Sequence, residues 1–286
     1  MHVRKSIIGV AAALAAIPAG TALAATIQGG PGNEHLRGTQ VADHIDGNAG
    51  NDHIFGFGGD DELIGGPGND RVFGGRGNDT IRGVEGNDWL NGGAGDDTVT
   101  GDANATGDLT SFDRIFGGSG NDVLRGGDSR DRIAGGPGDD TSYGENGNDR
   151  MNGGTGNDVQ YGGSGDDTIF ANIGQDTTYG EDGNDTLWAL ARSDVQPDAS
   201  GVDPNGDALD GGAGDDTFRT RDGEVDKITC GDGNDNALLD TADVITDATP
   251  ANPNGSCERV VRKAPKPKDS KPEDKQQSPK DTSVQS

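Results

Sequence analysis

Large apolar residues recur every nine positions along most of the chain, and each stands between polar neighbours. In the first part of the chain these residues are Ile45, Ile54, Leu63, Val72, Ile81, Leu90 and Val99. An aspartate stands two residues before each of them, and several glycines precede most of these aspartates. One inward apolar side chain between two outward polar ones is typical of a short strand, while glycine and aspartate favour turns. The pattern therefore predicts a repeating unit of one turn and one short strand.

The aspartate keeps its place in the repeat almost to the end of the sequence. Glu34 stands at this place first, and aspartates follow in register through residues 43–97. After an added stretch the register resumes through residues 113–185, and after a second one it resumes through residues 207–235. Self-similarity at a fixed short period is the signature of a repeat architecture in which successive units stack.

The individual units match a known motif. Two of them read Gly65-Gly-Pro-Gly-Asn-Asp-Arg-Val-Phe73 and Gly74-Gly-Arg-Gly-Asn-Asp-Thr-Ile-Arg82. They resemble the RTX, or haemolysin-type, calcium-binding repeat, Gly-Gly-x-Gly-x-Asp-x-U-x with U a large apolar residue. The resemblance runs from Gly29 to about Ile245. It implies an all-β fold, a right-handed parallel β-roll (β-solenoid), in which a nonapeptide is a six-residue turn plus a three-residue strand and two nonapeptides form one coil.

Stacked coils would arrange the aspartates in two columns, because residues 18 apart would lie one above another at about 4.8 Å. Two unit charges at that distance repel by about 0.9 kcal/mol even in bulk water. Calcium accepts about six to eight oxygen ligands, carboxylates and backbone carbonyls alike, whereas magnesium prefers a tighter octahedron. We therefore expect multiple calcium ions, on the order of ten, with magnesium a poor substitute.

The expected calcium ligands are the aspartates of the repeat: Asp43, Asp52, Asp61, Asp70, Asp79, Asp88, Asp97, Asp122, Asp131, Asp140, Asp149, Asp158, Asp167, Asp176, Asp185, Asp216 and Asp235. Turns 38–43, 126–131 and 171–176 lack some of the glycines, and Glu34 is longer than aspartate. A metal site is least expected at these four places.

Composition supports a fold that depends on cations. The chain carries 50 acidic against 23 basic residues, a net charge of −27, and only 29% hydrophobic residues. Such a chain buries too little apolar surface to offset its ordering entropy unless a ligand contributes binding energy. The acidic excess also argues against a nucleic-acid partner, because phosphates would be repelled. No stretch after the first residues is apolar enough to insert into a membrane.

Three repeats place a polar residue at the inward position. These residues, Ser142, Gln160 and Thr178, are each followed by a tyrosine, and Tyr143, Tyr161 and Tyr179 are the only tyrosines of the protein. The spacing predicts that the tyrosines stack on one sheet. We favour an aromatic ladder that stabilises the sheet; the alternative is an exposed strip that holds a sugar ring.

Three histidines share the first position of a strand, His35, His44 and His53. His35 and His53 should be neighbours on one face, which makes a transition-metal pair one interpretation. Without a nearby cysteine and with an outward position, surface histidines are the favoured interpretation.

The two ends of the sequence differ from the repeats. Residues 1–24 combine a basic start, an apolar stretch and a small-residue cleavage site at Ala22-Leu23-Ala24, which predicts a secretory signal peptide. A membrane anchor would need a longer apolar run. Export permits a disulfide between Cys230 and Cys257, which would pin the last coil with about 3 kcal/mol of stabilisation. Residues 262–286 are rich in lysine and proline and predict a disordered tail.

These features divide the chain into a signal peptide (1–24), RTX-like repeats (25–188), an insertion loop (189–206), final repeats with a disulfide-pinned cap (207–261) and the tail (262–286). We expect a secreted, extracellular protein, free or associated with the cell surface, in which the tail contacts anionic envelope polymers or serves only solubility. Gly-x-Ser-x-Gly and His-Glu-x-x-His motifs are absent, so we expect no enzyme. A structural or adhesive calcium-binding role is favoured; the alternatives are a non-catalytic remnant or accessory of a secreted RTX-like enzyme or toxin, and a glycan-binding module.

Overall fold

The computed structural model describes residues 23–102, 111–189 and 206–264, which form a parallel β-solenoid. Successive strands alternate between two sheets of 12 strands each, so every strand pairs with the strand two further along the chain. The all-β solenoid expected from the repeats is confirmed.

The first sheet contains the odd-numbered strands: β1 Thr26–Gln28, β3 His44–Asp46, β5 Glu62–Pro67, β7 Thr80–Glu85, β9 Thr98–Thr100, β11 Val123–Asp128, β13 Thr141–Asn146, β15 Val159–Ser164, β17 Thr177–Asp182, β19 Ala208–Ala213, β21 Lys227–Thr229 and β23 Val244–Ile245. The second sheet contains the even-numbered strands: β2 His35–Arg37, β4 His53–Gly58, β6 Arg71–Arg76, β8 Trp89–Ala94, β10 Arg114–Ser119, β12 Arg132–Pro137, β14 Arg150–Thr155, β16 Thr168–Ile173, β18 Thr186–Trp188, β20 Thr217–Thr220, β22 Asn236–Leu239 and β24 Arg259–Arg262.

The register places equivalent residues of successive coils side by side. Ile45 pairs with Leu63, two nonapeptides further along. Across the first added stretch Leu90 still pairs with Ile115. Across the second, Thr178 pairs with Leu209. The stacking of the strands is therefore unchanged across both added stretches.

The strands are longer than the three residues that the resemblance implied. Most interior strands have six residues, as in β6, and only Gly77, Asn78 and Asp79 separate β6 from β7. The ladder continues through the glycines because each turn lies directly on the turn of the next coil: the Gly77 N–H donates to the Ala94 carbonyl at 2.9 Å. A positive φ of 118° at Gly75 bends the chain while this pairing persists.

The core is a narrow stack in which most strands bury one large side chain. The apolar residues at this position, from Ile45 to Ile169, form one buried cluster. Ser142, Gln160 and Thr178 are also buried, as predicted. With its amide oxygen and nitrogen exchanged, the Gln160 side chain is satisfied there, because it donates to the Phe170 carbonyl at 3.1 Å and accepts from the Gly153 N–H at 3.0 Å.

A second apolar cluster fills the C-terminal coils and includes Phe218, Ile228 and Leu239. Cys230 and Cys257 belong to it and form the disulfide that was predicted, with a Cα–Cα distance of 5.2 Å. The last strand, β24, pairs with β22 and extends the second sheet beyond this bridge. The signal peptide, insertion loop and tail lie almost wholly outside the described residues, so the division into domains stays a prediction.

Removing the disulfide should weaken the C-terminal coils. Replacement of both cysteines, Cys230→Ser and Cys257→Ser, is expected to lower the free energy of unfolding by about 3 kcal/mol, because the unfolded chain regains the freedom that the cross-link removes. Chemical denaturation in saturating calcium measures the change, with the reduced wild-type protein as the control. Equal stability of oxidised, reduced and substituted proteins would contradict this account.

Candidate metal centre

The repeat aspartates lie at the corners of the coil, immediately before each strand. From Asp52 to Asp235, those of the described residues are between 0% and 2% exposed. Position in the sequence explains this burial. The aspartate is the last residue of a tight corner and precedes an outward residue by one place, so the alternation of the strand turns its side chain inward.

One carboxylate oxygen of each aspartate accepts a hydrogen bond that joins two successive coils. The backbone N–H of Asp52 donates to Oδ1 of Asp70 at 2.7 Å, and the N–H of Asp70 donates to Oδ1 of Asp88 at 2.8 Å. The opposite corner repeats the arrangement through Asp61 and Asp79. Both predicted columns are therefore present, and each is a continuous ladder of hydrogen bonds to charged acceptors.

The other oxygen, Oδ2, is buried and has no hydrogen-bond partner among the described residues. This applies to Asp52, Asp61, Asp70, Asp79, Asp88, Asp97, Asp113, Asp122, Asp131, Asp140, Asp149, Asp158, Asp167, Asp185, Asp216 and Asp235. A buried carboxylate oxygen without a partner is costly, and proteins usually pair such a charge or bind a metal to it. The same orphaned oxygen at so many equivalent places indicates a common ligand.

Glycine at the first place of the turn leaves room beside this oxygen. A methyl group added to Gly74 would collide with Oδ2 of Asp79 and with the carbonyl oxygen of Gly92 in the next coil. Gly65 shows the same surroundings, with Asp70 and Gly83. Each corner therefore brings a carboxylate oxygen and a backbone carbonyl oxygen of the next coil close to the same point, and hard oxygen ligands of this kind suit calcium.

Burial also changes the protonation of the columns. It raises the pKa of Asp113 to about 9, against the opposing hydrogen bond from the Asp88 N–H, and the charges of Asp88 and Asp131 raise it further. Burial likewise raises the pKa of Asp88 to about 8 and that of Asp61 to about 6. These carboxylates ionise reluctantly without a cation, and a cation and protons would compete for the same oxygens.

A second ladder of hydrogen bonds, which the sequence analysis did not predict, lies on the solvent side of the aspartate columns. At most turns the residue before the repeat aspartate is Asn or Asp, and its side chain accepts a hydrogen bond from the next coil: the Asn51 N–H donates to Oδ1 of Asn33 at 3.0 Å, and the Asn69 N–H donates to Oδ1 of Asn51 at 2.9 Å. The opposite corner uses Asp60 and Asn78. Its signal was the Asn or Asp that precedes most repeat aspartates.

At two of the irregular turns, the carboxylate accepts hydrogen bonds from the backbone of the protein. Both oxygens of Asp43 accept backbone N–H groups, from Ala25 and from Thr39. Glu34 bends back onto its own turn, where it accepts the Gly30 N–H at 3.1 Å. These two carboxylates have less need of a metal than those of the regular turns.

The tyrosines form the predicted stack, with Tyr143–Tyr161 and Tyr161–Tyr179 ring centroids each 5.0 Å apart and the rings nearly parallel. The Arg125 guanidinium lies 4.2 Å from the centroid of Tyr143. Ring faces are therefore engaged with one another and with a cation, which favours a packing role. A glycan contact at this strip stays a prediction.

The histidines are also neighbours as predicted, with the His35 and His53 rings 4.7 Å apart between centroids. However, Nε2 of His53 lies 3.0 Å from the Arg71 guanidinium, and Nδ1 of His44 lies 2.9 Å from the Glu62 carboxylate. These polar neighbours favour ordinary surface roles for the histidines.

A comparison with protein families agrees with this geometry. The RTX calcium-binding nonapeptide repeat matches residues 28–56, 37–72, 55–85, 73–105, 110–142, 143–160 and 152–187, which together span more than half of the chain. The chain belongs to this family, and its repeats are a structural, non-catalytic calcium-binding motif. No curated protein matches the chain. The described residues include no helix long and apolar enough to span a bilayer.

Filling the space beside the orphaned oxygen should impair calcium binding. Gly74→Ala is expected to raise the half-saturating calcium concentration and to destabilise the calcium-bound fold by about 1 to 3 kcal/mol, because the added methyl group displaces ligand atoms. Gly58→Ala is the matched control, since a methyl group there meets only ordinary contacts at 3.5 Å or more. Equal effects of the two substitutions in calcium titration would contradict the assignment.

The raised pKa values predict that acid stabilises the metal-free fold. The folded chain keeps protons that the unfolded chain releases, so the stabilisation is complete below about pH 3.8 and is lost as the pH rises through about 6 to 9. Without calcium, the folded fraction, measured by the β signal in circular dichroism, should therefore be higher at about pH 5 than at about pH 9. With calcium, the half-saturating concentration should rise as the pH falls. A metal-free β signal that increases with pH would contradict the prediction.

Proposed function

We propose that this protein is a secreted calcium-binding protein that folds into its solenoid when calcium becomes available and then acts as a rigid structural or adhesive element. The observation that carries the proposal is the buried Oδ2 atom that recurs at each regular corner beside a glycine carbonyl. Binding of calcium at these corners would neutralise the columns and join consecutive coils, so its binding energy would contribute directly to folding.

The proposed ligands are the repeat aspartates named from the sequence, with the regular turns as the principal sites. At each one the Oδ2 atom and the first-position glycine carbonyls would hold the ion. Asp113, which lies in the same register and has the same orphaned oxygen, joins this set. The number of ions is part of the proposal, on the order of ten by the resemblance and set by the number of stacked corner pairs.

An extracellular location is supported by the predicted signal peptide and by the disulfide, since oxidising compartments maintain such bridges. Calcium outside cells would keep the repeats folded, while low calcium inside would leave an acidic, weakly hydrophobic chain unfolded. A rigid rod with polar outer faces suits a structural or adhesive role. Cell-envelope polymers, contacted by the lysine-rich tail, or glycans, contacted by the tyrosine strip, are the proposed partners.

Circular dichroism of the purified protein tests the coupling between calcium and folding. The β signal is expected to be weak in EDTA, to rise cooperatively on addition of calcium, and to respond little to magnesium, which binds reluctantly to flexible all-protein sites. A spectrum that is already β-rich in EDTA at neutral pH and unchanged by calcium would overturn the proposal.

A pair of adjacent substitutions isolates the orphaned oxygen. Asp97→Asn keeps the Oδ1 acceptor for the Asp79 N–H but replaces the charged Oδ2, so it should shift the calcium titration to higher concentration. Asp96→Asn removes an equal charge next to it while keeping the acceptor for the Asn121 N–H, and should shift it little. Equal shifts would mean that net charge, rather than the buried oxygen, governs binding.

A further inference from the structure

The corner between β20 and β21 has a different composition from the regular turns. Residues 221–226 read Arg-Asp-Gly-Glu-Val-Asp, with one glycine where the regular turn has three, and they bring two extra acids, Asp222 and Glu224, next to the repeat aspartate Asp226. These residues lie outside those that match the nonapeptide family. Both extra acids are buried, although acidic side chains at a turn are ordinarily exposed.

Three carboxylates meet at this corner from two successive coils. Oxygens of Asp207, Glu224 and Asp226 all lie within 4.8 Å of one another, and the three residues are no more than 2% exposed. The charges of Asp222 and Asp243 also act on Asp226. Like charges this close in a buried place repel strongly unless a cation or shared protons lie among them.

Asp226 is fully buried, and only one of its oxygens has a hydrogen-bond partner among the described residues. Its Oδ1 accepts the Asp207 N–H at 2.9 Å, while Oδ2 has no such partner. Oδ2 of Asp222, in the same turn, and Oδ2 of Asp240, in the turn before β23, are also buried and have no hydrogen-bond partner among the described residues. Asp243, by contrast, is satisfied, since its Oδ2 accepts the Thr220 hydroxyl at 2.6 Å and the Asp240 N–H at 2.7 Å.

The chemistry of this cluster selects a hard cation that binds oxygen. Ligands of a calcium ion lie about 2.3 to 2.6 Å from it and so are no more than about 5 Å apart. The three oxygens lie within 4.8 Å of one another, close enough to bind one such ion together. All of the ligand atoms are carboxylate oxygens, which disfavours zinc and copper, whose protein sites usually include histidine or cysteine.

We propose that Asp207, Glu224 and Asp226 form a separate calcium site at the C-terminal end of the solenoid, built from side-chain carboxylates rather than from glycine carbonyls. It differs from the regular corners because Glu224 supplies a ligand from within the turn itself. The inference stands on these residues and does not depend on occupation of the nonapeptide turns. An ion there would join the coil of β19 to the coil of β21.

Anomalous X-ray diffraction locates such an ion directly. Crystals of the full chain grown with calcium, measured at a long wavelength where calcium scatters anomalously, should show a peak in contact with Glu224 and Asp226. Glu224→Gln should remove this peak and keep those at the regular corners. Glu85→Gln, the same change at an exposed residue, is the matched control and should keep all of them.

The outcomes separate this inference from the proposed function. Peaks at the cluster and at the corners support both, and a peak at the cluster alone supports the inference while contradicting the nonapeptide sites. Peaks at the corners alone overturn the inference and leave the proposed function intact. An ion near the cluster that Glu224 does not contact, or that persists in Glu224→Gln, also overturns it. The wild-type crystal decides the question even if the variant does not fold.

Discussion

The structure depends on a carboxylate that is removed from water at every regular corner. One oxygen of this group accepts a backbone N–H of the preceding coil, as Asp70 does from Asp52, and so holds two coils in register. The same geometry buries the second oxygen without a protein partner. The hydrogen bond that orders the stack therefore keeps a negatively charged carboxylate buried, and the protein alone does not compensate this charge. A cation that binds several oxygens compensates it.

This constraint explains why so little apolar surface is sufficient. Most strands contribute one large inward side chain, and three successive odd-numbered strands contribute Ser142, Gln160 and Thr178, which are polar. An ordinary domain of this composition would not offset its ordering entropy. Here the coils are joined through backbone ladders, the inner aspartate columns and the outer Asn and Asp ladder, so cohesion comes from repeated polar contacts. Neutralisation of the buried carboxylates would favour these contacts.

Much of this arrangement could be predicted from the period alone. A constant spacing of nine fixes which residues stack, and it correctly placed the two aspartate columns, the inward Gln160 and the tyrosine stack. The length of the strands could not be predicted, because it depends on how closely glycine corners of different coils approach. The outer ladder was missed for a related reason: Asn51 looks like an ordinary turn residue until its neighbour 18 positions away is known.

The acidic cluster at Glu224 was unpredictable because the period breaks there. Asp226 follows Asp216 by ten residues, and Asp243 follows Asp235 by eight, so a constant spacing of nine no longer predicts which residues stack.

The irregular repeats at the C-terminal end of the solenoid have a physical reason. A coil at the end of a stack has a neighbour on one side only and loses half of its ladder contacts, so the last coils need cohesion of another kind. A buried disulfide, a second apolar cluster and a concentration of carboxylates all occur within these coils. In the last coils, where the repeat is irregular, local contacts of these kinds therefore take the place of stacking.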